Sequence, residues 1–360
     1  MKELSTILLC YDNAQQAQWA ADAALEIAKA FGCRVVGVHG YNAAMHDGAF
    51  RIMEPVLPQR YQREEILRRQ RQLHDGLIRV GMEKISLSYL RPLQERFQSE
   101  GVEFIPKVRE GKNFAAINAM IREEEPSLVV MGSKGFGSGR EGFIGSVCLR
   151  VLRSNGGDFL ILKEPLRLAS ARPLRMVVCL DGSSSAVGAL EGAWLLAEEF
   201  QAELHLVYVY DSALHRAVFA KLQGAALSRE GFRFSGKEQE RLHDEFIDRG
   251  LERVGWMVLD RAEREARSWH ALPVRSLVAG FGPVQQRPQP AVLKRVLDGP
   301  VYERICEYAQ EAEADMIFLG RTGRHYTQGM DMGSVAENVL RFSPCSVYIS
   351  GHREFRGWKI

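Results

Sequence analysis

A segment near the start of the chain recurs in its middle, and this recurrence constrains the fold more than any other feature. Ile7-Leu8-Leu9-Cys10-Tyr11-Asp12 matches Val177-Val178-Cys179-Leu180-Asp181 through Cys10 and Cys179 and through Asp12 and Asp181, an offset of 169 (181 less 12). The offset persists: Leu73-His74-Asp75 matches Leu242-His243-Asp244, and Gly81 with Glu83 matches Gly250 with Glu252. Towards the end of each copy it becomes 188 (320 less 132), where Gly132, Gly135 and Gly145-Ser146 pair with Gly320, Gly323 and Gly333-Ser334. The second copy therefore carries 19 extra residues (188 less 169), expected at about 281–299 because Gly111 aligns with Gly280 at one offset and with Gly299 at the other. Gln285-Gln286-Arg287-Pro288-Gln289-Pro290 suits an exposed loop there.

A duplicated chain of 360 residues predicts two domains, since roughly 150 residues is an ordinary domain length. The expected domains are 1–165 and 175–360, joined by a linker at 166–174 inside the stretch Lys163 to Leu174, which Pro165 and Pro173 punctuate. With 46% hydrophobic and 26% charged residues, each copy can bury a core of its own.

Within each copy, short apolar runs alternate with helical patterns. In the second these are strands at Met176 to Leu180, Leu204 to Val209, Met316 to Leu319 and Ser346 to Ile349, and helices at Ala186 to Phe200, Val301 to Ala312 and Val335 to Phe342. A long polar-amphipathic region interrupts the series. The predicted class is α/β: two tandem open parallel sheets with helices on both faces. Ligands of such sheets bind beyond the carboxyl ends of the strands.

The chemistry lies in Gly132-x-x-Gly135, nine residues, then Gly145-Ser146, repeated as Gly320-x-x-Gly323, nine residues, then Gly333-Ser334. Each motif opens at an apolar strand ending in Met131 or Leu319 and closes where a helical pattern begins at Val147 or Val335. Glycines after a strand allow close approach of the backbone to a ligand and positive φ, so that N–H groups can point at phosphate oxygens. At a helix start, Ser146 and Ser334 would add a hydroxyl, free N–H groups and the positive end of the helix dipole. Two donor clusters flanking one loop can grip a polyphosphate, and duplication of the whole spacing favours this reading over isolated turn glycines.

These motifs resemble the universal stress protein family, whose ATP-binding members carry Gly-x-x-Gly, nine residues, then Gly-Ser/Thr near the end of the domain. The resemblance covers both halves and is strongest at Gly333-Ser334-Val335-Ala336-Glu337-Asn338-Val339-Leu340-Arg341 with Ser343-Pro344-Cys345, and at Val177 to Ser183. It implies a cytoplasmic stress-response protein that binds ATP, alone or with Mg2+, as a regulatory module. It also implies that Asp12 and Asp181 lie beside the nucleoside, although a loop or capping aspartate would read the same. Val209 matches the residue that touches adenine, and the first copy has Gly40 there. The first copy further departs at Asn13-Ala14 and at Asn155-Gly156-Gly157, so the carboxy-terminal site is the better match. Family members commonly dimerise through their last strands, which implies pairing of Phe159 to Leu162 with Val347 to Ile349 as an intramolecular pseudo-dimer, and leaves room for a further homodimer.

Other classes find little support. A formal net charge of +2 gives no cationic surplus for nucleic acid, and the basic stretch Arg60 to Arg71 is interleaved with Glu64, Glu65 and Gln70 like a solvated helix face. The six cysteines form no CxxC pair and read as small core residues of a reducing compartment. No apolar run approaches the ~20 residues of a membrane span. Gly137 to Gly142 spells GxGxxG but lies inside the nine-residue loop, without the strand and helix that a dinucleotide fingerprint needs, and no P-loop occurs. Neighbouring residues of a helix diverge by about 100°, so the repeated Leu-His-Asp points to helix packing or an interface rather than a metal. Slow ATP hydrolysis would need a carboxylate for the metal and a group to position water. Asp331 and Glu141 are available in the loops but do not correspond between copies, which favours binding over turnover and predicts no catalytic residue. A nucleotide-free interaction protein of the same fold is the remaining alternative.

Overall fold

The computed structural model describes residues 4–135, 144–169, 172–213, 217, 249–270, 288–324 and 331–351. The chain divides into two compact units, Lys2–Leu168 and Ala169–Ile360.

In the first unit the order is β1 Thr6–Cys10, α1 Gln15–Phe31, β2 Arg34–Tyr41, α2 Ala43–Met53, two short 3-10 turns, α3 Glu64–Ser99, β3 Phe104–Glu110, α4 Asn113–Glu124, β4 Leu128–Gly132, α5 Ser146–Ser154 and β5 Phe159–Leu162. The strands pair in the order β3-β2-β1-β4-β5, each contact parallel. Parallel strands need crossovers, and here helices supply them. All five residues of β1 are buried, the mark of a strand covered on both faces. Alanines at positions 17, 20, 21, 24 and 28 let α1 lie close to the sheet. The 36-residue α3 buries a stripe through Ser86, Leu90, Leu93 and Phe97, with Phe97 against Phe104 of β3.

The second unit repeats the plan with β6 Arg175–Cys179, α6 Ser184–Phe200, β7 Glu203–Tyr210, α7 Arg249–His270, β8 Val292–Asp298, α8 Val301–Glu311, β9 Met316–Gly320, α9 Ser334–Phe342 and β10 Ser346–Ser350. Its strand order is β10-β9-β6-β7-β8, again parallel. Leu90, Leu93 and Phe97 of α3 correspond to the buried Leu259, Ala262 and Ala266 of α7 at the first offset, whereas β8 corresponds to β3 at the second. Gly111 and Gly299, at φ 139° and 134°, follow these two strands in the same conformation. The extra residues therefore fall between His270 and Val292, and not at about 281–299, because 292–298 is a strand of the shared fold. Charges hid that strand: β8 reads Val-Leu-Lys-Arg-Val-Leu-Asp, and Lys294 bonds to Asp260 and Glu263 of α7. In the expected linker, Leu166, Leu168 and Leu174 are buried.

His205 gives the second unit a pH dependence. It lies buried in β7 with Nδ1 2.8 Å from the Tyr308 hydroxyl, and Nε2 is 3.7 Å from Glu203. Burial lowers its pKa below the ordinary 6.5, a shift that Glu203 opposes and that Arg175 and Arg295 assist. The unfolded chain then takes up a proton where the folded one does not, so stability is full above the ordinary value and falls as pH drops through the folded value. Urea unfolding at about pH 7.5 and about pH 5.5 should show the second unit weakened in acid, with less of this dependence in His205→Gln.

Candidate functional site

In both units the order of strands reverses at one place, between β1 and β4 and between β6 and β9, which opens a crevice beyond their carboxyl ends. The aspartate after the first strand begins each site. Asp12 Oδ1 accepts the amide of Ala14 at 3.1 Å, and Asp181 Oδ1 accepts that of Ser183 at 2.9 Å. The residue between is left-handed in each case, Asn13 at φ 62° and Gly182 at φ 80°. Asparagine tolerates that region better than most side chains, so the departure at Asn13 leaves the turn unchanged. One carboxylate oxygen is thus committed to a local turn. The other faces the glycine motif: a Cβ on Gly135 would stand 2.5 Å from Asp12 Oδ2, and one on Gly323 2.9 Å from Asp181 Oδ2. In the second unit the same oxygen also accepts the amide of Arg324 at 3.1 Å.

The remaining glycines have distinct duties. None of the six motif glycines is among the residues at positive φ, so that part of the expectation gives way to a steric requirement. Gly132 ends β4 against the first turn of α1, where a Cβ would meet the backbone of Gln16 at 2.9 Å. Gly320 meets Ser185 in the same way at 2.6 Å. Gly145 and Gly333 are the N-caps of α5 and α9 with extended backbone, and no side chain caps either helix. Their amides close the neck of the loop by bonding to Ser133 O at 2.7 Å and to Arg321 O at 2.9 Å. The turn inside the motif is fastened to the first helix in both units by different chemistry. Gln16 Oε1 accepts from Lys134 N at 2.6 Å and from Ser133 Oγ at 3.0 Å, while Ser185 Oγ and Thr322 Oγ1 lie 3.0 Å apart.

These parts enclose a cavity of about 310 Å³ in the first unit. All eight positions expected there line it: Asp12, Gly40, Met131, Gly132, Gly135, Gly145, Ser146 and Val147. The absent side chain of Gly40 admits the start of α4, whose Asn113 O would lie 3.0 Å from a Cβ. Sequence reasoning missed His39, Asn113, Ile117, Lys134, Cys10 and Cys148, which share the wall. Only Lys134 carried a signal, as the basic residue inside the motif. The two thiols are neutral wall groups: burial, then Cys148 and Asp12, pushes Cys10 up, and burial pushes Cys148 up to about 12.

In the second unit Asp181, Gly320, Gly323 and Gly333 surround the corresponding turn. Ser334 and Val335 open α9, Leu319 is buried in β9, and Val209 is half-buried beside Leu297 of β8. Loop residues 325–330 lie outside the described residues, as do Gly137 to Gly142, Glu141 and Leu242-His243-Asp244. Among the described residues no group of three or more His, Cys, Asp or Glu side chains could hold a metal ion, and no helix is long and apolar enough to cross a membrane.

Comparison with known proteins agrees with this architecture. The model of the universal stress protein family matches residues 3–163 and again 174–350. A curated relative, Universal stress protein MJ0531 of Methanocaldococcus jannaschii, is 24% identical over 191 residues, covering 53% of this chain and 89% of that protein. Among solved structures, a universal stress protein from Archaeoglobus fulgidus DSM 4304 superposes with a TM-score of 0.57 at 16% identity, covering 97% of this chain and 99% of that one. The functionally unknown protein PA1789 from Pseudomonas aeruginosa PAO1 gives 0.52 at 15% identity, covering 96% and 92%. At these identities the likeness concerns the fold.

Proposed function

The chain belongs to the universal stress protein family, and from that premise we propose that it binds ATP or a related adenine nucleotide and acts as a nucleotide-dependent regulatory module in the cytoplasm. The observation that carries this reading is the first-unit cavity, in which all eight motif and strand-end positions share one wall. Its volume of about 310 Å³ is within the ~300–1,000 Å³ of small-molecule sites. The uncapped first turn of α5 offers amides to an anion at the positive end of the helix, and Lys134 lies on the same wall. Asp12 would accept a ribose hydroxyl through Oδ2, with Val38 and Gly40 towards the base. In the second unit Asp181, Gly320, Gly323, Gly333 and Ser334 supply the same set, with Val209 for the base. Magnesium would accompany the phosphates as the counter-ion of ATP.

Occupancy by a triphosphate would tie α5 to the turn after β4, and so couple a ligand to the loop between them. Pairing of the last strands, Phe159 to Leu162 with Val347 to Ile349, belongs to the same proposal as the route to a pseudo-dimer. Calorimetric titration of the intact chain with ATP is expected to give saturable heat, with no phosphate released at saturation. Absence of heat sinks the nucleotide reading, while steady phosphate release would make the protein a hydrolase.

A further inference from the structure

The first unit carries an apolar face that its own core does not use. One stripe of α3, through Leu90, Leu93 and Phe97, is buried against the sheet. A second stripe on another side of the helix holds Leu73, Leu77 and Val80 at i, i+4 and i+7, which are 58%, 73% and 50% exposed. A helix that covers one sheet needs one apolar stripe, so the second is surplus to the fold of the unit. At the same end of the unit, α2 and the 3-10 turn after it expose Ile52, Met53 and Val56. Arg71 of α3 fixes that segment by bonding to both carboxylate oxygens of Glu54.

We propose that this face is the interface between two copies of the chain, their α3 helices antiparallel across a two-fold axis near Leu77. Two observations select a second copy as the occupant. The six side chains expose on the order of 700 Å², close to the about 800 Å² that each partner buries in a standard interface. Gly76 and Gly81 weaken a helix interior and pack against nothing, since a Cβ on either would have no atom within 4 Å. In the antiparallel pair Leu73 of one copy lies over the open space at Gly81 of the other, and a two-fold contact is self-complementary in this way. The inference is independent of any nucleotide.

Light scattering of the intact chain should give twice the 40.5 kDa of one copy. Leu73→Glu with Leu77→Glu should halve that mass while leaving the circular dichroism unchanged. Leu77→Cys should cross-link to a dimer on oxidation, and Glu65→Cys on the same helix should not. A wild-type chain that stays at the mass of one copy overturns the proposal, as does a dimer that survives in the folded double variant, which would place the contact elsewhere. If the double variant does not fold, the cross-link decides, and its failure in Leu77→Cys overturns the proposal.

Discussion

Gly320→Val is expected to destabilise the second unit whether or not a ligand is bound. The Cβ alone would stand 2.6 Å from the carbonyl carbon and Cβ of Ser185 and 2.7 Å from the amide of Ala186. These atoms belong to the first turn of α6, which is held by Ser183 as its N-cap and by Ser185 bonded to Thr322. Backbone cannot swing aside as a side-chain tip can, so either α6 lifts from β9 or the strand end buckles. Overpacking of a rigid core commonly costs about 1–3 kcal/mol, and a β-branched residue against main chain belongs at or above the top of that range. Chemical denaturation should show a loss of about 3 kcal/mol or more in the transition of the second unit, with that of the first unchanged. Gly132→Val should do the same to the first unit, where the approach to Gln16 is 2.9 Å. A Gly320→Val protein with wild-type stability would mean that the helix and strand are not packed this closely.

That expectation differs from what the sequence alone suggests, and the difference is instructive. The duplicated spacing was sufficient to pick out residues that line one cavity of the first unit, because a wall assembled from a strand end, a turn and a helix start needs those pieces at fixed separations. It could not divide the labour among the glycines. Gly132 and Gly320 look like ligand-facing residues in sequence, yet each is required by a helix more than a hundred residues away along the chain, a contact that local reading cannot reach. Lys134 is not marked by the repeat, because its counterpart in the other copy is Thr322. The same comparison misled at β8, where Gly280 and Gly299 both fitted Gly111 until the strand before Gly299 and its left-handed φ decided the matter. Edge strands tolerate charge, and charge erases the apolar signal by which strands are found. Asn13 shows the reverse case, a sequence difference from Gly182 that alters nothing in the backbone.

Gly135→Ala should separate ligand binding from folding, because what its Cβ meets is a carboxylate and not a helix. The added methyl would lie 2.5 Å from Asp12 Oδ2, the far end of a side chain, and Gly135 has no left-handed φ that alanine would strain. The cheapest relief is rotation of the Asp12 carboxylate away from the turn, so the unit should retain its unfolding midpoint closely. Rotation withdraws the oxygen that faces the motif while Oδ1 serves Ala14, and with it the group to which a ribose hydroxyl would bond. Loss of a hydrogen bond to a charged group costs about 1.5–3 kcal/mol, which corresponds to roughly 10- to 100-fold weaker nucleotide binding at the first unit. The measurement is an ATP titration in a chain whose second unit is silenced by Asp181→Ala. Asp12→Asn gives the control, since it keeps the turn to Ala14 but lowers the charge opposite Gly135. If Gly135→Ala remains folded and binds as tightly as its parent, Asp12 does not touch the nucleoside and the carboxylate serves the turn alone.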